Sequence, residues 1–202
     1  MKELKNTTLT KQPHLKEAIL NLSEKEKDKL LVRLINKDKK LIEQLHYLLL
    51  EDENDLIQRI NEAKNDLSLV FDRMRSGLNR TKQHYKHREL TAYLKSASGI
   101  VNEHASVTKN KESELDLRLV IFEETIKNYH PLYLNEANGY KADMHFSYQI
   151  SRLKSILSLY DKLHDDLKYE YRDRIQFVLD FVERSVLKDY ALAAGINYLA
   201  FE

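Results

Sequence analysis

The chain has 202 residues but no cysteine, no tryptophan, only four glycines and only two prolines. Each shortage excludes something. Without cysteine there is no disulfide, no thiolate metal ligand and no thiol nucleophile, which fits a reducing cytoplasm. Turn-rich folds draw on glycine for positive φ and on proline for turn entry. A β-sandwich, a β-barrel or a Rossmann domain is therefore not expected. Isolated glycines cannot build a phosphate cradle, and neither Gly-x-x-x-x-Gly-Lys-Ser/Thr nor Gly-x-Gly-x-x-Gly occurs. Long apolar runs are missing too. Tyr47-Leu48-Leu49-Leu50 and Leu119-Val120-Ile121-Phe122 are among the longest, against the ~20 residues of a membrane span. The start, Met1-Lys2-Glu3-Leu4-Lys5-Asn6, has no apolar h-region, so no signal peptide is expected. A net charge of +1 leaves no global field to attract nucleic acid or anionic lipid.

What the chain does have favours helices. Leucine fills 33 positions, and Asp, Glu, Lys and Arg make up 32%. The expected class is all-α: a soluble, cytoplasmic helical bundle with a short N-terminal helical hairpin and long antiparallel helices. Pro13 suits a first helical turn, after which Leu15, Ile19 and Leu22 recur at helical spacing. Ser23 with Glu26 reads as a capping box opening a helix with Leu30, Leu31, Leu34 and Ile35. Asp38 caps the next, which carries Leu41, Ile42, Leu45, Leu48 and Leu49. These helices form a subdomain over 1–52, with a long-helix bundle over 53–202.

The acidic residues Glu51, Asp52, Glu53 and Asp55 suit a helix N-terminus. One apolar register then runs from Ile57 through Phe71, Met74 and Leu78 to Tyr85 and Ala92. It predicts one long helix, or two collinear ones, over about 54–105, with Gly77 and Gly99 as the places to bend or break. Residues 106–113 read as a turn. A helix over 112–129 shows Leu115, Leu119, Phe122 and Ile126 on one face and ends at His130-Pro131. A loop over 131–139, a helix over 141–166 and a last helix over 169–193 follow. Gly195 ends the last, and Ile196 to Phe201 read as an apolar tail packing back. Most Tyr and Phe lie at or after Tyr129.

Leu15, Ile19, Leu22-Ser23, Leu30-Leu31, Leu34, Lys39, Leu45 and Leu48-Leu49, followed by the acidic stretch, form a pattern over the first 60 residues. In this the chain resembles small bacterial helical proteins of unknown function, built as short HEAT-like scaffolds. The resemblance implies an all-helical fold and brings no reaction, cofactor or site residue with it.

The sharpest charge feature is a basic stretch over 73–95. Arg73, Arg75, Arg80, Lys82, Lys86, Arg88 and Lys95 stand there against one acid, Glu89, with Tyr85 and Tyr93 interleaved. A basic helix with aromatics can follow a phosphate backbone and stack bases. A solvated face paired with acids from a later helix is the simpler reading. Glu43 with His46, and Asp161 with His164, give two carboxylate–His spacings of the kind that hold two metal ions in some four-helix proteins. The motif is short, Asp161 is a variant of it, and no metal or other cofactor is expected. His84 and His87 at i, i+3 read as an exposed pair, too few for a zinc site. Arg80 with His87 has the Arg-x6-His spacing of some helical ribonucleases. Ser151 and Lys154 form Ser-x-x-Lys in mid-helix without companion motifs. Tyr169 and Tyr171 read as exposed anchors for a partner. The expected function is non-enzymatic: a protein–protein interaction or scaffold module, or one that self-associates. Nucleic-acid binding through 73–95 is the alternative, and a helical enzyme or di-metal protein a further one. No membrane partner is expected.

Overall fold

The computed structural model describes residues 8–134 and 140–196. Among them are ten α-helices and no strand, so the protein is an all-α helical bundle. The chain divides into two units, Met1–Leu50 and Glu51–Glu202.

The first unit holds α1 (Pro13–Leu20), α2 (Glu24–Ile35) and α3 (Lys39–Leu50). Local chemistry sets their ends. Pro13 occupies the first turn of α1, where its missing N–H costs nothing. At α2, the Ser23 backbone N–H and hydroxyl donate to the Glu26 carboxylate at 3.0 and 2.6 Å. At α3, Asp38 Oδ1 accepts the N–H groups of Lys40 and Leu41 at 3.0 and 3.2 Å. The α2 and α3 helices pack on each other. Yet none of the three helices holds a buried residue. Leu31, Val32, Leu34, Leu48, Leu49 and Leu50 are all at least half exposed.

The second unit holds the core. Its helices are α4 (Glu53–Arg80), α5 (Lys86–Thr108), α6 (Lys111–Tyr129), α7 (Pro131–Leu134), α8 (Tyr140–Tyr160), α9 (Asp165–Glu183) and α10 (Leu187–Ala193). Asp52 caps α4 by accepting from the Asn54 and Asp55 N–H groups at 2.8 and 3.2 Å, and Asp55 accepts from the Asp52 N–H at 2.9 Å. At the centre lies α6, which packs against α4, α5, α8 and α9. It buries Leu115, Leu119, Phe122 and Ile126 as expected, but also Leu117 and Ile121 on the other side. A helix surrounded by others is apolar on more than one face, so a single-stripe reading undercounts it.

Several expected boundaries move. The long helix over 54–105 is neither continuous nor collinear. It breaks at 81–85, with a 3-10 turn at Gln83–Tyr85, and α5 folds back on α4 as an antiparallel hairpin. Gly77 lies inside α4 and is not the break. It makes room for Tyr93 of α5: a methyl at Gly77 would meet the Tyr93 hydroxyl and its ring carbons Cζ and Cε2, at 3.0 and 3.2 Å. Gly99 faces open space inside α5 and does not break it. The turn read over 106–113 shrinks to Lys109 and Asn110, with Lys109 in the left-handed region at φ 53°. Pro131–Leu134 is one helical turn instead of loop, because proline suits a helix start. The helix over 141–166 stops at Tyr160, and the one over 169–193 becomes α9 and α10. Between those two, the Val186 N–H donates to the Tyr133 carbonyl at 2.9 Å, a tertiary bond no local pattern announces. Gly195 does end α10, at φ 71°, with the Ile196 N–H donating back to the Ala191 carbonyl at 3.0 Å. Ile196 is buried. Gly139 and residues 197–201 lie outside the described residues.

Candidate functional site

The α4–α5 hairpin gathers most of the basic stretch at its closed end. Arg80 closes α4, Lys82 and Tyr85 lie in the connection, and Lys86 and Arg88 open α5. Arg73 shares a face of α4 with Arg80, two turns away. Cations suit a helix C-terminus such as that of α4, but work against the N-terminal dipole of α5. Lys86 and Arg88 therefore cost the helix something, offset in part by Glu89, whose carboxylate is 3.8 Å from Arg88 Nε. Arg73, Arg80, Lys82 and Lys86 have no ion-pair partner among the described residues, and all but half-buried Lys86 are exposed. Tyr85 is half exposed, with the His84 ring against it at 4.0 Å.

Two members of the stretch belong elsewhere. Arg75 bonds to Asp72 and to Glu124 of α6, each at 2.6 Å, as the simpler reading expected for the whole stretch. Lys95 lies a further turn along, its Nζ over the Tyr148 ring at 5.8 Å. The expected exposed pair of histidines does not form, because His87 is buried. Its Nε2–H donates to the Leu132 carbonyl at 3.2 Å, which anchors the start of α5 to α7.

Beneath that anchor runs a buried polar chain whose donor order can be deduced. The Thr91 hydroxyl donates to the His87 carbonyl at 2.7 Å, so it must accept from His145 Nδ1, also at 2.7 Å. His145 Nε2 then lacks a proton and accepts from the Tyr133 hydroxyl at 2.6 Å. Tyr133 in turn accepts from Gln149 Nε2 at 2.7 Å. This order requires a neutral imidazole. Burial holds it so, with help from His87 and Arg152, and pushes the His145 pKa down to about 3. Burial likewise raises the Tyr133 phenol. At the far end, Arg152 Nη1 donates to Gln149 Oε1 at a long 3.4 Å. Burial above all, with the like charge of Arg118, brings Arg152 down to about 10 against the smaller opposing effects of Tyr148 and Tyr133.

On the opposite side of α6, Arg174 of α9 bonds to Asp116 at 2.6 Å and to Glu123 at 2.7 Å, and Lys64 of α4 reaches Asp116 at 2.8 Å. Burial alone would raise Asp116, but its hydrogen bonds from Lys64 and Arg174 prevail and hold it below the ordinary value. Tyr171 lines a cleft of about 380 Å³ there with Lys64, Asp116, Glu53 and Glu112. It is half-buried, its phenol pushed up to about 12, first by burial and then by Asp116 and Glu112. Only Tyr169 of the two expected anchors is exposed.

The two carboxylate–His spacings do not behave alike. Glu43 and His46 lie on α3 of the first unit, exposed. Asp161 and His164 lie in the second unit and share no helix. Asp161 follows the end of α8, while His164 caps α9 by accepting from the Asp166 N–H at 3.5 Å. Among the described residues, no three His, Cys, Asp or Glu side chains form a group able to hold a metal ion. No helix among them is long and apolar enough to cross a membrane.

Sequence reasoning missed Thr91, Tyr133, His145, Gln149 and Arg152. A signal was present. His145, Gln149 and Arg152 fall at i, i+4 and i+7 and continue the face that carries Ile156, so polar residues occupy buried positions of α8. Neither a family model, nor a curated protein, nor a solved structure matches this chain.

Proposed function

We propose that this chain is a non-enzymatic interaction module that presents the basic end of its α4–α5 hairpin to an acidic macromolecular partner. The observation that carries the reading is the set of free cations. Among the described residues, Arg73, Arg80, Lys82 and Lys86 have no ion-pair partner although Arg75, in the same stretch, finds two acids. Unpaired cations on a rigid hairpin steer an oppositely charged surface and set its register. Rigidity comes from the buried His87 and Thr91 bonds. The exposed leucines of α2 and α3 add apolar contact area of the kind helical modules use.

An acidic protein is the first reading. Nucleic acid is the second, favoured by the half-exposed Tyr85 with His84 against it, since a stacked base contributes about 1–3 kcal/mol on such a ring. Retention on immobilised polyglutamate and on single-stranded DNA, read as the salt needed for elution, tests both. The wild-type protein is expected to be retained on polyglutamate. The triple variant Arg80→Glu/Lys82→Glu/Lys86→Glu is expected to elute at much lower salt. If Tyr85→Ala weakens retention on DNA but not on polyglutamate, the nucleic-acid reading takes precedence. If the wild-type protein passes through both columns at low salt, the proposal is wrong.

A further inference from the structure

A separate group of residues in the second unit, away from the hairpin end, has the makings of a binding site. Its centre is Arg152 of α8, which is only 7% exposed. A guanidinium keeps its charge, and a buried charge is costly unless it is paired and hydrogen-bonded. The fold meets that demand for Arg174, which is less buried and bonds to two carboxylates. It does not meet it for Arg152. Among the described residues, no carboxylate lies within ion-pair distance of this guanidinium, and its one hydrogen bond is the 3.4 Å contact with Gln149. Five N–H donors in a planar fork therefore have one weak protein partner, and the nitrogens without one keep contact with solvent, where a ligand can reach them.

The surroundings of Arg152 are arranged for negative charge. Its Cζ lies 5.7 Å from the centre of the Tyr148 ring, and Lys95 Nζ of α5 lies 5.8 Å from the same centre. The Tyr148 hydroxyl is 3.1 Å from Ser98 Oγ, and both hydroxyls donate to the Leu94 carbonyl, at 3.3 and 2.8 Å, so the cations rather than the hydroxyls face an anion. Arg118 of α6 is close enough to act on Arg152 as a like charge, and its own guanidinium is held by Glu114 and Asn102. Lys95, Ser98 and Asn102 share one face of α5, and Tyr148 and Arg152 one face of α8. The α5 and α8 helices thus each set a cation against the Tyr148 ring, and α6 adds Arg118, already paired with Glu114. Lys95 is exposed and Arg152 is not, so the seam runs from surface to interior.

We propose that this seam binds a small oxyanion of the phosphate class, free or as the terminal group of a monoester. Arg152 forms its floor, Lys95 its mouth and the Tyr148 ring its wall. The planar fork matches two oxygens of such a group. A dianion suits a guanidinium with a second cation on the same ring better than a single carboxylate does. The depth of Arg152 excludes an internal phosphodiester, because its ester arms would have to enter as well.

Thermal unfolding of the full chain in inorganic phosphate, against sodium chloride at equal ionic strength, tests this. The midpoint is expected to rise saturably with phosphate and not with chloride. Glycerol phosphate is expected to act like phosphate, and dimethyl phosphate, a diester, to have no effect. Arg152→Met should abolish the phosphate response while leaving the protein folded, since an apolar chain of similar volume replaces an unpaired charge. If that variant fails to fold, Lys95→Ala at the exposed mouth decides, by a several-fold weaker half-saturation. The proposal does not depend on the hairpin reading, so Arg80→Glu/Lys82→Glu/Lys86→Glu should keep the full response. Three results would overturn it: the same midpoint in phosphate and chloride, a response that survives in folded Arg152→Met, or a response lost in the hairpin variant.

Discussion

His145 shows how a single buried side chain acquires a pH signature. Its ring is held neutral between Thr91 and Tyr133, with its pKa brought down to about 3 by burial first and then by the nearby His87 and Arg152. In the unfolded chain the same ring titrates near 6.5. Between these values the unfolded state binds a proton that the folded state refuses. Stability is therefore full above about 6.5 and falls as pH drops toward about 3, with a limiting slope of about 1.4 kcal/mol per pH unit for one such group. His104 adds to the slope in the same direction, since burial and Arg59 lower it too. Urea unfolding at pH 7, 6 and 5 should show the fall, and His145→Gln should flatten it. A His145→Gln protein with an unchanged slope would contradict the neutral-ring assignment. The partner could not be read along the chain. Thr91 and His145 are 54 positions apart, and the only local hint is that His145 continues the apolar face of α8 that carries Ile156.

At the scale of elements, the capped helix boundaries were legible, while several others and the helix pairings were not. Ser23, Asp38 and Asp52 start their helices and Gly195 ends one, each acting within a few residues. The α4–α5 turn was hidden because the apolar spacing of α4 can be continued through Thr81, Tyr85 and Ala92, whereas the buried face of α5 runs through His87, Leu90, Leu94, Ala97 and Val101, out of step with it, and Tyr85 and Ala92 are exposed. The break between α8 and α9 was expected but falls at 161–164, ahead of the expected 167–168, because a histidine, an uncommon cap, starts α9; the break between α9 and α10 was not expected. The glycines mislead for a related reason: Gly77 answers to a ring on another helix and Gly99 to nothing nearby. Replacing Gly99 by alanine should stabilise the protein by about 0.5–1 kcal/mol, since helical backbone entropy is recovered at no steric cost. Gly77→Ala should instead destabilise it, because Tyr93 would have to give way. Paired urea midpoints would show this, and two shifts of the same sign would refute the account of Gly77.

For the molecule as a whole, the two units differ in what holds them together. The second has a core of fully buried side chains, among them Leu67, Met74, Leu90, Leu119, Phe122, Tyr133 and Phe146. The first has no buried side chain in any of its three helices. Residues 51–202 expressed alone should keep a cooperative thermal transition. Residues 1–50 alone should lose helicity gradually, as short helices without a core do. Circular dichroism on heating would show both. A sharp transition in the short fragment, or none in the long one, would be evidence against this division of stability.

The sequence by itself determined the all-helical class, the capped starts of α2, α3 and α4 and the existence of a basic stretch. These follow from composition, from hydrogen bonds within one turn and from charge counted along the chain. The tertiary structure alone decided which cations stay free, that Arg152 is buried without a carboxylate, and that α6 is enclosed by four neighbours. Charge pairing depends on which helices meet. Arg75 finds Glu124 across 49 positions and Arg174 finds Asp116 across 58, so whether a cation is spent or available is settled only once the helices have packed.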